Sequence, residues 1–348
     1  MPSVTIDTCI LAPPTNDTTR EAVIDYVVTL LDWKELLKNT WVDIYMSERA
    51  MEIMQKEDVY PIRPSLTQLF QARGLQFAYS ANDIARFVDD LFKKTPYFET
   101  HFKIQDVLVS NIETSPNLVE IHSSKPRADD LIRIAVVIAI LRSCCRNPVL
   151  DHSLIIKPRQ GSSVVKVIAQ IDIIETTRDD MLDLPKPPEF FSGDILTCQN
   201  FREFVQNLDE IAIWESSTDK EGLELALKIA IFKSRLERNI EPDWDTIQGF
   251  SFGREFLERL RACERGGNPG LVARILRSLT ETIEKLNMRA IHPKRKGGGG
   301  DDPQEMRKKD KAWRRDIDAE YHLHYWECAD GAIEFASVGP HNMFDIPK

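Results

Sequence analysis

The sequence predicts an α/β chain of more than one domain. Short β-branched runs alternate with segments whose apolar residues recur every three or four positions. Three prolines in four positions, Pro185-Lys186-Pro187-Pro188, interrupt them. Prolines remove backbone donors and stiffen the chain, so this stretch reads as a linker. Charge also changes sign along the sequence. The chain has a formal net charge of −10, yet the 17 Lys and Arg of residues 254–315 outnumber 9 Asp and Glu there. At about 150 residues per domain, 348 residues suit two or three domains. The expected arrangement is an α/β domain over 1–184, a helical connecting region over 185–250, and a small α+β domain over 251–348. The last should hold two helices and an antiparallel sheet.

The elements follow in order. Residues 3–11 read as a buried strand running into Asp7 and Thr8. Residues 19–31 place Ala22, Val23, Tyr26, Val27 and Leu30 on one helical face. Ser47 and Ser80 are good N-cap residues for helices that follow them. Residues 105–121 mix short helix and strand. Residues 128–144 form a strong helix with a very apolar centre. Residues 151–157 and 164–175 read as strands. Beyond the prolines, helices are expected over 198–210 and 220–238, with a connection at Glu241-Pro242. A helix pair over 254–264 and 269–286 is separated by Gly266-Gly267-Asn268-Pro269. Strands follow over 312–317, 321–327 and 332–338, the last two joined by the hairpin turn Asp330-Gly331.

Several function classes are disfavoured. With 42% hydrophobic and 29% charged residues the chain is folded rather than disordered. No basic stretch precedes an apolar one near Met1, so no secretory signal is expected. The longest apolar run, Ile134 to Leu141, is far short of the ~20 residues that span a bilayer. Six cysteines without a C-x-x-C spacing read as reduced thiols in a cytoplasmic protein. The glycines at 297–300 lack the Lys and Ser/Thr of a phosphate-binding loop. No helix-turn-helix signature supports a DNA-binding regulator.

The basic window contains Lys294-Arg295-Lys296 and Arg307-Lys308-Lys309, with Lys311, Arg314 and Arg315 nearby. Such clusters attract phosphates. A solvated face, or one docked on the acidic part of this chain, gives the same composition. Within it, His322 and His324 at i and i+2 on a strand face the same way as Trp326, with Tyr321, Leu323 and Tyr325 opposite. His341 follows the last strand. Imidazoles beside guanidinium groups supply what RNA cleavage needs: a base for the 2′-hydroxyl, a cation for the phosphate, and an acid for the leaving oxygen. Surface histidines, or a zinc site lacking its fourth ligand, are the alternatives.

Residues 252–348 resemble the RelE/ParE toxin superfamily, small bacterial ribosome-associated RNases and their relatives. The resemblance rests on the helix pair, on Ile291-His292-Pro293-Lys294-Arg295-Lys296, and on the strands from Trp313-Arg314-Arg315 to Tyr325-Trp326. It ends on Val338-Gly339-Pro340-His341-Asn342-Met343-Phe344. It implies Arg315 on the phosphate, His341 as terminal acid or base, and His322 or His324 on the same face. His292, Lys294, Arg295, Lys296, Arg307 and Arg314 would contact RNA, and Phe344 would stack on a base. No cofactor is implied there. RNA or the ribosome, and a protein partner such as an antitoxin, are implied as partners. The segment 297–302 departs from the family as a long insertion.

Residues 3–157 are similar, more weakly, to PIN-domain nucleases, whose first Asp follows a hydrophobic strand as Asp7 does. That resemblance implies Mg2+ or Mn2+ held by Asp7, by Glu48 or Glu52, and by Asp130 or Asp129, with Asp151 as a fourth carboxylate. The expected function is a toxin-like, mRNA-cleaving ribonuclease of a bacterial toxin–antitoxin or anti-phage defence system. A non-enzymatic interaction subunit of such a complex is the alternative.

Overall fold

The computed structural model describes all residues except 16, 122–123, 266–269, 297–301 and 344, and the side chain of Glu35. The separator expected at Gly266 to Pro269 and the base-stacking Phe344 therefore lie outside the described residues. The chain is mixed α/β, with two mixed sheets, and divides into a unit over Met1–Leu208 and a unit over Asp209–Lys348.

The first sheet contains β1 (Ser3–Ile6), β2 (Asp43–Met46), β3 (Ile104–Ser115), β4 (His152–Ile155), β5 (Val164–Thr176) and β6 (Glu189–Cys198). Their order is β2-β1-β4-β6-β5-β3. The first four are parallel, β5 pairs antiparallel with β6, and β3 pairs antiparallel with β5. Parallel strands covered on both faces need residues that tolerate full burial, and every residue of β1 and β4 is buried. The polar ones are satisfied internally. His152 on β4 lies between Ser3 Oγ (2.7 Å) and Thr5 Oγ1 (3.0 Å). Burial lowers its pKa to about 3, so it is neutral.

The helix Lys125–Ser143 supplies the core against this sheet. It starts where Ser124 accepts the amide of Arg127 at 3.4 Å, with Pro126 in the first turn. Ile132, Val136 and Ile140 are almost fully buried. The proline run is not a boundary. The strand β6 follows it directly and fills the gap between β4 and β5. The expected division at 184/185 thus falls between two strands of one sheet, and the split into units comes at 208/209. Residues 190–194 alternate exposed and half-buried positions and residues 195–198 run into the core, and the prolines before them masked that strand.

The second sheet contains β7 (Phe250–Phe252), β8 (Ile291–Pro293), β9 (Met306–Arg307), β10 (Asp310–Asp316), β11 (Tyr321–Glu327) and β12 (Ile333–Pro340). Its path is β7-β12-β11-β10-β8, with β9 also paired to β10. The helices Phe256–Glu264 and Leu271–Ile283 pack on one face, where Phe252, Phe256 and Phe335 form an aromatic group and Leu323 is fully buried. On β11, Leu323 opposite Arg315 and Tyr325 against Phe335 lie on this helix side, and His322, His324 and Trp326 lie on the other face.

Candidate functional site

Register gathers the imidazoles. Arg314 on β10 is paired with His292 on β8 and with His324 on β11, and His324 is paired with Ser337 on β12. Two residues along, on the same face, Asp316 opposes His322, and His322 opposes Gly339. All these side chains share a face because strand periodicity is two.

Asp316 is the hub of the group. Its Oδ1 lies 3.0 Å from His322 Nδ1, and its Oδ2 lies 3.5 Å from His292 Nε2. Arg314 Nε is 3.9 Å from Oδ1. The His341 ring lies over His322 with centroids 3.7 Å apart. His324 Nδ1 is 3.3 Å from Ser337 Oγ. His322 and His324 have no exposed surface; Nε2 of both rings and Nδ1 of His322 are without a hydrogen-bond partner among the described residues, so Asp316 meets His322 by charge and proximity rather than by an aligned hydrogen bond. Burial, with the charges of Arg314 and His341, lowers His322 to about 4, against the opposing pull of Asp316. Burial, then Lys294, lowers His324 to about 3. Both rings are therefore neutral near pH 7, with lone pairs available to accept a proton.

The basic residues divide by position. Arg315 does not join this face. Its guanidinium is fully buried on the helix side, against Glu281 and the carbonyls of Leu286 (3.0 Å) and Asn287 (3.4 Å). The adjacent residue, Arg314, holds the position that the resemblance had assigned to Arg315. Arg307 is committed to Glu334 at 2.7 and 3.0 Å, and its guanidinium lies over Trp326. Arg295 donates to the carbonyl of Asp302 at 2.6 Å. Lys294 is buried and donates to the carbonyl of Arg295 at 3.1 Å, and burial lowers its pKa. His292 and Lys296 are exposed.

In the first unit, acidic residues gather where parallel strands end, the edge at which open α/β sheets commonly bind ligands. Asp7 follows β1, and Ser47 and Glu48 follow β2. Ser47 Oγ donates to Asp130 Oδ1 at 3.0 Å, and the Glu48 amide donates to Glu99 Oε2 at 3.0 Å. Arg133, one helical turn beyond Asp130, donates to Asp130 at 2.9 Å and also contacts Glu99. Burial, opposed by Arg133, raises the pKa of Asp130, and burial with Glu99 raises that of Glu48. Asp7 is buried and takes the Cys9 thiol. Among the alternatives, Glu52 pairs with Lys56 in solvent, Asp129 is exposed, and Asp151 precedes β4 at the opposite edge of the sheet.

These donors do not form a cation cage as they stand. Arg133 neutralises Asp130 and Glu99 directly. No group of three or more His, Cys, Asp or Glu is arranged for a metal ion among the described residues. Sequence reasoning missed Asp316, Glu99 and Arg133. Of these only Arg133 had a signal: an Arg inside the run Leu131-Ile132-Arg133-Ile134-Ala135 must find a buried carboxylate. No family model, curated protein or solved structure matches the chain.

Proposed function

We propose that this chain is a toxin-like endoribonuclease whose chemistry lies on the imidazole face of residues 209–348. The observation that carries the reading is the placement of the Asp316 carboxylate between His322 and His292, with Arg314, His324 and His341 adjoining. The Asp316 carboxylate stands 3.0 Å from Nδ1 of His322 as a charge contact, on the side away from Nε2, which would accept the proton of an RNA 2′-hydroxyl. The freed 2′-oxygen attacks the adjacent phosphorus, and Arg314 stabilises the added negative charge. The P–O5′ bond breaks, and His341 as general acid gives a proton to the departing 5′-oxygen. The products are a 2′,3′-cyclic phosphate and a 5′-hydroxyl end. The steps involve only the chain's own side chains.

The RelE/ParE resemblance of residues 252–348 supports the same reading. It extends it to messenger RNA on the ribosome, to an antitoxin-like protein partner, and to a cytoplasmic toxin–antitoxin or anti-phage defence system. For the first unit we propose a PIN-like fold, supported by its four parallel strands and by Asp7 at the carboxyl end of β1. No step is assigned to it, because Arg133 already occupies the carboxylates. The burial of His322 and His324 favours a second reading, a non-enzymatic interaction subunit.

Purified chain incubated with RNA and with ribosome-bound message in EDTA separates the two. The enzyme reading expects cleavage that persists in EDTA, leaves cyclic-phosphate ends, and is lost in Arg314→Ala, His341→Ala and Asp316→Asn. RNA left intact under all conditions, with stable co-purification of a partner unaffected by His341→Ala, selects the interaction subunit.

A further inference from the structure

The imidazole face is closed by the chain itself. After β12 the backbone turns at His341, where the Met343 amide donates to the Pro340 carbonyl, and residues 346–347 lie against the same sheet. Ile346 is 5% exposed and packs with Ala312, Trp326 and Ala336. Trp326 Nε1 donates to the Pro347 carbonyl at 2.8 Å. Asp345 pairs with Arg259 at 2.9 Å, and Lys348 with Glu305 at 3.4 Å. Met343 fits against Gly339, where an added Cβ would overlap its sulfur.

Two features set this apart from ordinary packing. The covered face contains neutral imidazoles with unpartnered nitrogens, which buried structure normally avoids. The segment also brings a carboxylate to a basic neighbourhood. Asp345 bonds Arg259 and lies within electrostatic reach of His324 and Lys294. Such a position suits a phosphate, which Arg recognises as it does a carboxylate.

We propose that Met343 and residues 345–348 form a strap that closes the site in the resting protein, with Asp345 standing where an RNA phosphate binds. This rests on the reading of the face as RNA-facing and adds its regulation: a single-stranded RNA, or a partner that lifts the strap, must displace Asp345 and Ile346. Lifting the strap also removes the burial that depresses both imidazoles, so their pKa values rise toward the ordinary range where a general base works best.

Two measurements on the full chain test the strap. The first is carbethoxylation of each histidine by diethylpyrocarbonate, mapped by mass spectrometry. His292 and His341 should react in the wild type while His322 and His324 stay protected. Ile346→Asp, and independently Gly339→Val, should speed modification of His322 and His324 about tenfold or more, the factor expected for losing one buried aliphatic contact. Unchanged protection in both folded variants overturns the strap. The second is binding of an uncleavable 2′-O-methyl RNA by fluorescence anisotropy. Asp345→Asn should bind about threefold tighter or more, since a competing exposed ion pair is lost. Adding Arg259→Ala should remove the gain. Histidines that open without tighter RNA binding overturn the phosphate role of Asp345 and, with it, the RNA reading of the face, while leaving the closure itself in place.

Discussion

The sharpest energetic consequence lies at Arg133. Its side chain is 5% exposed and joins Glu99 and Asp130, which are 3% and 2% exposed. Replacing it with Ala leaves two buried carboxylates facing each other without a cation. Removing one partner of a buried pair costs about 3–5 kcal/mol. At roughly 2–4 °C per kcal/mol for a unit of this size, Arg133→Ala should lower the melting temperature of the first unit by about 6–20 °C. Calorimetry separates this transition from that of the second unit, which should not move. The pH dependence has a definite sign. Burial already raises the Asp130 carboxyl, and without Arg133 to oppose it the folded state takes up a proton there before the unfolded chain does as pH falls. The deficit relative to wild type should therefore be full near pH 7 and shrink as pH falls through that raised pKa. Arg133→Ala combined with Glu99→Gln and Asp130→Asn should recover most of the loss, because no buried charge remains. A single variant that melts within 2 °C of wild type, on the same ~2–4 °C per kcal/mol scale, would falsify the account of the cluster as an arginine-neutralised one.

Three further outcomes follow from the same structure. Arg315→Ala should destabilise the second unit by about 3 kcal/mol, and Arg315→Lys should not restore it, because the guanidinium fork meets Glu281 and two carbonyls together; urea unfolding followed by circular dichroism reads both. The second unit should lose stability as pH falls from about 6.5 toward 4. His322 and His324 have folded pKa values of about 4 and about 3, so the unfolded chain binds protons first in that window. Thermal melts across the range check this, and a flat profile would show that these rings are not buried. Asp219→Ala should cost about 1 kcal/mol by removing the N-cap of the helix Lys220–Glu237, where Asp219 accepts the Gly222 amide at 2.9 Å; Asp219→Asn should cost much less.

Local patterns read well from the sequence, and long-range closure did not. The β-branched start, the apolar helix after Ser124 and the three late strands carry their periodicity in consecutive residues, so Lys125–Ser143 and Tyr321–Glu327 lie where expected, while the strand expected over 3–11 stops at Ile6 because Thr8–Leu11 turns into a short helix after Asp7. The two histidines share a face for the same reason. What failed depended on partners distant in sequence. Glu99 sits in Tyr97-Phe98-Glu99-Thr100, where nothing local marks it, and only folding brings Arg133 to it. Arg314 and Arg315 are neighbours of the same type. Which one meets the histidines is decided by strand phase, and which one is buried is decided by Glu281 on a helix. The strand β6 was concealed because the prolines just before it signal a break to any local rule, although its neighbours in the sheet require it.

That late strand has a consequence for how the chain is made. The strands β4 and β5 are neighbours in sequence but not in space, and β6 must enter between them. A growing chain that has emerged only as far as the prolines presents two open strand edges and an uncovered helix Lys125–Ser143. Such edges invite pairing with other chains until Cys198 has left the ribosome. Ending the protein at residue 184 should freeze that intermediate and give aggregates, whereas ending it at 208 completes the sheet and should give a soluble, cooperatively folding unit.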